Sequence, residues 1–131
     1  MDENNPLACA MRWLDTPAEW SWRAAALYSP RARLRIPARD LIIDGRIKIL
    51  AHHWYEARLL YAGEPPTTLR RTGNDQRVID ESVLDFIVPP AGVPRLALPS
   101  GSRVELKRTR VLSFVGGSIV DELQLETWTP L

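Results

Sequence analysis

Residues 104–128 read VELKRTRVLSFVGGSIVDELQLETW, and the reading of this stretch decides the fold. Two long β-prone runs flank Gly116-Gly117, a short-range signature of a β-hairpin. The first run alternates. Val104, Leu106, Arg108, Arg110, Leu112 and Phe114 share one face, because successive strand side chains point to opposite sides. That face is apolar except for two arginines at its centre, which predicts a binding cavity lined by sheet. The second run has two registers open to it. A plain two-residue turn sets Phe114 against Ile119, Leu112 against Asp121 and Arg110 against Leu123, and brings Leu125 onto the apolar face. A longer, bulged connection flips the parity of one strand and turns Glu122 and Gln124 toward the arginines. The apolar pattern favours the first register; functional polarity favours the second.

Upstream, residues 76–88 predict another long strand. Its even face carries Val78, Asp80, Ser82, Leu84, Phe86 and Val88, with Asp80 as its one acid. Thr67 to Thr72 predicts a strand joined to it through the turn Gly73-Asn74-Asp75. Pro89 to Gly101 predicts a surface loop and a pocket rim. Nearer the start, residues 5–15 predict a short helix. Thr16-Pro17-Ala18-Glu19 is a capping box opening a second helix to about Tyr28. Residues 31–36 alternate Arg31, Arg33 and Arg35 with Ala32, Leu34 and Ile36, a short strand with a solvated outer face. Without interleaved aromatics to stack bases, the arginines do not read as a nucleic-acid stripe. Asp44 predicts the cap of a third helix from near Gly45 to about Tyr61, closed by Gly63. Helices followed by a run of strands predict an α+β domain, helices on one face of a curved, mainly antiparallel sheet.

Bulk properties agree with one soluble domain. The chain has 131 residues, 45% apolar and 25% charged. A net charge of +1 provides no field for nucleic acid or anionic membrane. The single cysteine, Cys9, excludes an intrachain disulfide and a Cys-rich zinc site. No leader pattern and no run near 18 apolar residues is present, so a cytoplasmic location is expected. The 11 prolines fall between the periodic stretches and punctuate them.

The pattern resembles the nuclear transport factor 2-like superfamily, in particular its SnoaL-like polyketide cyclase and limonene-epoxide-hydrolase-like branches. The similar residues are Leu27-Tyr28-Ser29-Pro30-Arg31-Ala32, Asp44-Gly45-Arg46, Leu98-Pro99-Ser100-Gly101 and, best of all, Val111 through Val120. The resemblance implies a cone-shaped fold, a curved sheet wrapped around a long helix with a hydrophobic pocket between them, and often a homodimer. Its members include isomerases, dehydratases, cyclases and epoxide hydrolases. Their catalytic acids do not carry over. The isomerase base position falls on Ile36, before Pro37, and the oxyanion-hole acid falls near Arg110. The epoxide hydrolase Arg-x-Asp falls on Ser82-Val83-Leu84, and its second aspartate near Gln124.

The residues themselves nominate Asp80, Arg110 and His53 as catalytic candidates. An arginine beside a carboxylate lowers the acid's pKa and fixes its orientation. Proton transfer needs a base nearer neutrality, which His53 supplies. His52 and His53 point about 100° apart on a helix, so they do not readily chelate one metal together. Tyr28, Trp54 and Tyr55 are expected to hold a flat or aromatic compound, with Arg108, Leu112 and Gln124 completing the lining. No phosphate-binding glycine motif, nucleophile motif or cofactor signature is present. Two functions remain open. One is a cofactor-independent isomerase, cyclase or hydrolase acting on a small apolar or aromatic molecule, acidic in one variant. The other is a non-catalytic ligand-binding or protein-interaction domain. A homodimer through the outer sheet face is expected with either.

Overall fold

A computed structural model describes residues 22–60 and 66–131. A short helix α1 (Trp22–Leu27) leads into strand β1 (Tyr28–Ile36), a 3-10 turn (Pro37–Arg39) and strand β2 (Leu41–Asp44). Helix α2 (Arg46–Tyr55) continues as a π-helical turn (Glu56–Leu60). Strands β3 (Thr67–Gly73), β4 (Arg77–Ile87), β5 (Arg103–Val115) and β6 (Ser118–Pro130) follow. They form one six-stranded sheet in the order β2-β1-β6-β5-β4-β3. Its pairs are antiparallel except β1 with β6, which is parallel. The expected α+β class and curved, mainly antiparallel sheet are found. The predicted helix at 5–15, the capping box Thr16–Glu19 and Gly63 lie outside the described residues.

Two local expectations change. Asp44 does not cap α2: Gly45 is the N-cap and has no side-chain cap bond. Asp44 instead ends β2, a strand absent from the sequence reading, and its carboxylate accepts from Arg33 Nε at 2.8 Å. Residues Pro89 to Gly101 are not confined to the surface. Val93 is buried, and Leu96 and Leu98 pack with it over Phe86 and Val104, closing one end of the core.

The decisive turn satisfies half of each predicted register. Val115 pairs with Ser118 across Gly116-Gly117, so the loop has two residues. Their φ angles are 58° and 81°, the positive values that a type I′ turn needs and glycine adopts without steric cost. Phe114 then faces Ile119, as in the plain register. Between Phe114 and Ser113 the pairing slips by one, so Val120 is an extra residue and Ser113 faces Asp121. Beyond the bulge Leu112 faces Glu122, Arg110 faces Gln124 and Arg108 faces Glu126. The favoured plain register is therefore corrected: Leu123 and Leu125 turn to the outer face, and three polar residues turn inward.

The inner face consequently has a polar belt between two apolar clusters. Leu34, Ile49, Leu50, Val78, Leu112, Phe114 and Ile119 build the first cluster. Ala57, Leu84, Phe86, Val88, Val104 and Leu106 build the second. Between them along β5 lie Arg108 and Arg110, each only 6% exposed. Replacing Gly117 by Val forces a β-branched residue into a left-handed conformation and is expected to cost about 1–2 kcal/mol. Urea unfolding checks this; an unchanged midpoint contradicts the turn geometry.

Candidate functional site

The belt is assembled from side chains of several elements. α2 contributes His52 and His53, and its π-helical continuation contributes Glu56. β5 contributes Arg108 and Arg110, and β6 contributes Glu122, Gln124 and Glu126. Tyr28 enters from the start of β1, and Arg39 from the 3-10 turn after it. Arg39, Arg108 and Arg110 face Glu56, Glu122 and Glu126 in charge balance, and all six side chains are buried.

Glu122 is the centre of the first half. It is fully buried. One carboxylate oxygen, Oε1, accepts from the Tyr28 hydroxyl and from His53 Nε2 at 3.0 Å. The other, Oε2, accepts from Gln124 Nε2 at 2.7 Å and lies 3.4 Å from Arg110 Nε. Burial alone pushes a carboxyl pKa up; the contacts with His53, the Arg110 charge and the Tyr28 hydroxyl reverse it and hold Glu122 well below the usual range. His53 moves down, first because burial disfavours the imidazolium and also through the Arg110 charge, although Glu122 opposes this. The arrangement is an ionised carboxylate orienting a neutral imidazole. Nε2–H then donates to Glu122, which leaves Nδ1 as the basic nitrogen.

The second half is centred on Arg39, which is 1% exposed. It donates from Nε and Nη2 to the two oxygens of Glu126, both at 2.9 Å, the fork geometry for which guanidinium is suited. The Trp128 ring lies 5.4 Å from its guanidinium carbon, and Trp128 Nε1 donates to Glu126 at 3.1 Å. Arg108 reaches Glu126 at 3.2 Å. Arg39 Nη2 also lies 2.8 Å from Glu56 Oε1, and His52 Nε2 lies 3.0 Å from the same oxygen. Burial pushes Glu56 up, but the His52 contact and the Arg39 charge bring it down to about 2.

A narrow cleft opens between the halves. Its lining is His52, His53, Glu56, Ala57, Pro66, Arg108, Arg110 and Gln124. The cavity volume is about 10 Å³, room for roughly one ordered water. Gln124 Oε1 and Arg110 Nε are buried and have no hydrogen-bond partner among the described residues.

Of the residues nominated from sequence, His53, Arg108, Arg110 and Gln124 meet at this cleft, with Tyr28 behind His53. Four nominations change. Asp80 faces Arg110 in register, yet its carboxylate accepts from Arg71 Nε at 2.7 Å, and it does not line the cleft. Leu112 is a fully buried core residue. Trp54 and Tyr55 are 38% and 39% exposed on the far side of α2, where Trp54 stacks with Arg58. The sequence reading missed Arg39, Glu56 and Glu126 and gave Glu122 only in the bulged register. Glu56 was legible, since it stands four residues after His52 on one helix.

The folded state depresses His53, Glu56, Glu122 and Glu126 alike. Each contributes stability above its unfolded pKa that is lost as pH falls, because the unfolded chain takes up the proton first. Loss begins below 6.5 through His53 and continues below 4.5 through Glu56, down to about 2, and through the depressed Glu122 and Glu126. The Glu56 shift corresponds to roughly 3 kcal/mol. Urea midpoints measured against pH are expected to fall through both windows, and Glu56→Gln is expected to flatten the lower one. A midpoint independent of pH from 7 down to about 4 contradicts the depressed His53.

No protein-family model matches the chain, and no curated protein sequence matches it. Solved structures do. A protein of Jannaschia sp. CCS1 assigned as a SnoaL-like polyketide cyclase superposes with a TM-score of 0.71 at 16% identity, covering 95% of this chain and 86% of that one. IdmH of Streptomyces antibioticus, assigned as a polyketide cyclase, gives 0.66 at 16% identity over 94% and 92%. A Kribbella flavida protein assigned as a ketosteroid isomerase gives 0.62 at 18% identity over 94% and 78%. No helix among the described residues is long and apolar enough to cross a membrane. The chain has the nuclear transport factor 2-like cone fold that these SnoaL-like and ketosteroid isomerase-like structures share.

Proposed function

We propose that the protein is a cofactor-independent acid–base enzyme of the isomerase or cyclase type, with His53 as the base that moves a proton on a small carbonyl compound. The observation that carries this reading is the buried Tyr28–Glu122–His53 arrangement opening onto the Arg110 side of the cleft. A base held in one tautomer by a buried carboxylate is the recurring solution for proton abstraction at neutral pH. Glu122 itself is too weak a base, because its donors stabilise the ionised form. It acts by positioning His53. Arg110 supplies the donor that fixes and polarises the substrate oxygen. The cluster is charge-balanced, which favours a neutral ground-state ligand over an acidic one. Negative charge that develops on the substrate oxygen then meets Arg110 only in the transition state.

The names of the similar structures, cyclases and an isomerase, support the same class. A homodimer belongs to this proposal. The bulge places Leu123 and Leu125 on the outer sheet face beside Val111 and Ile79, and Leu125 is 47% exposed.

The test is deuterium exchange at the α-carbon of a panel of neutral cyclic monoketones in D2O, followed by proton NMR. The wild-type protein is expected to exceed an equal concentration of free imidazole, and His53→Gln to lose at least about 100-fold. A wild-type rate equal to free imidazole, or an unimpaired His53→Gln, overturns the enzymatic reading in favour of a non-catalytic binding domain.

A further inference from the structure

Both histidines of the chain, adjacent in sequence, are each paired with a different buried carboxylate and line the same cleft. His53 Nε2 meets Glu122 at 3.0 Å, and His52 Nε2 meets Glu56 at 3.0 Å. Their ring centroids are 5.8 Å apart and nearly perpendicular, at 68°. The side chain of His53 is 3% exposed and that of His52 is 13% exposed, so His52 is the one of the two with more access to solvent. The cleft they share has room for about one water. Gln124 and Arg110 both line that cleft, and an acceptor, Gln124 Oε1, and a donor, Arg110 Nε, are buried without a hydrogen-bond partner among the described residues, Arg110 Nε lying 3.4 Å from Glu122 Oε2. A water needs two to four polar partners to be held in such a place, and these two are of complementary kind.

We infer that a single water held by Gln124 Oε1 and Arg110 Nε joins His53 to His52, and that the His52–Glu56 pair is the port through which the buried base exchanges protons with solvent. The inference rests on His53 being the base. The step balances without any co-reactant. Protonated His53 gives its Nδ1 proton to the water as the water gives one of its own to His52. His52 then releases a proton to solvent, and no heavy-atom bond changes. The charged groups around the route are Glu56 on the helix itself, Arg39 behind Glu56, Arg108 and Arg110 from β5, and Glu122 from β6. With three guanidinium and three carboxylate groups in balance, a proton in transit changes the local charge by only one unit. His52 is thus a proton-relay residue, distinct in role from the base it serves.

The experiment needs no substrate. Because the chain has only two histidines, both imidazoles are resolved in a protein labelled with 15N-histidine. The readout is the rate at which His53 Nδ1 gains and loses a proton, taken from exchange broadening of its 15N resonance as the ring is protonated. His52→Gln is expected to slow this exchange about tenfold or more. Glu56→Asp, which withdraws the carboxylate by one methylene, is expected to slow it less. A merely structural His52 loosens the packing when replaced and speeds the exchange; acceleration or an unchanged rate overturns the relay. If either variant fails to fold, Gln124→Leu, which removes one partner of the water, is expected to slow exchange in the same direction, and an unchanged rate there overturns it equally. Failure of the base assignment reads out separately. In that case Glu122→Gln leaves the His53 ring nitrogen shifts unchanged in otherwise wild-type protein.

Discussion

The extra residue Val120 is the constraint on which the rest of the inner face depends. A strand alternates with period two, so one inserted residue exchanges its two faces from that point on. Before the bulge, Ile119 lies in the core opposite Phe114; after it, Glu122, Gln124 and Glu126 face inward and Leu123 and Leu125 face out. If Val120 paired with Ser113 instead of bulging, Arg110 and Arg108 would face Leu123 and Leu125, and two buried guanidinium groups would stand without carboxylates on the neighbouring strand. That is a penalty of several kcal/mol per ion. The glycine turn sets where the strand begins, and the bulge sets what it presents.

Six buried charges are an expensive way to fill the middle of a small core. Hydrophobic residues of like volume commonly serve stability as well or better. Here the cost is contained by pairing. Glu122 collects Tyr28, His53 and Gln124 as hydrogen-bond donors beside Arg110, and Glu126 is held by both arms of Arg39, by Arg108 and by Trp128. The two apolar clusters on either side exclude water and strengthen these contacts. Pairing is less complete where the two halves meet, at Gln124, Arg110, Glu56 and His52. The cleft lies at that seam, and polar groups with unused hydrogen-bonding capacity are what a ligand-binding or proton-transfer site requires.

Much of the fold was legible because long strands advertise their faces. The even residues of β4 and β5 are the buried ones, and the two arginines at the centre of β5 do mark a cleft. The bulge was harder, since a leucine pair in phase with Ile119 outweighs acids by hydrophobicity alone. Two signals pointed the other way. Ile119 and Trp128 are both large apolar residues of opposite parity on one strand, and no plain register faces both inward. Glu122, Gln124 and Glu126 form a polar stripe of period two opposite Arg110 and Arg108. Arg39 was not legible: it follows Ile36 and Pro37 in a 3-10 turn with no periodicity, and its partners come from β6 and the end of α2. Asp80 misled for a related reason. Its register partner is Arg110, but Arg71 from the edge strand β3 holds its carboxylate.

The buried polar belt depends on the register of β6, and cross-strand Hα contacts between β5 and β6 in solution measure that register most directly. The bulged register predicts contacts that follow the pairs Phe114 with Ile119, Leu112 with Glu122 and Arg110 with Gln124. Contacts following Leu112 with Asp121 and Arg110 with Leu123 would remove Glu122 from the cone and with it the oriented base.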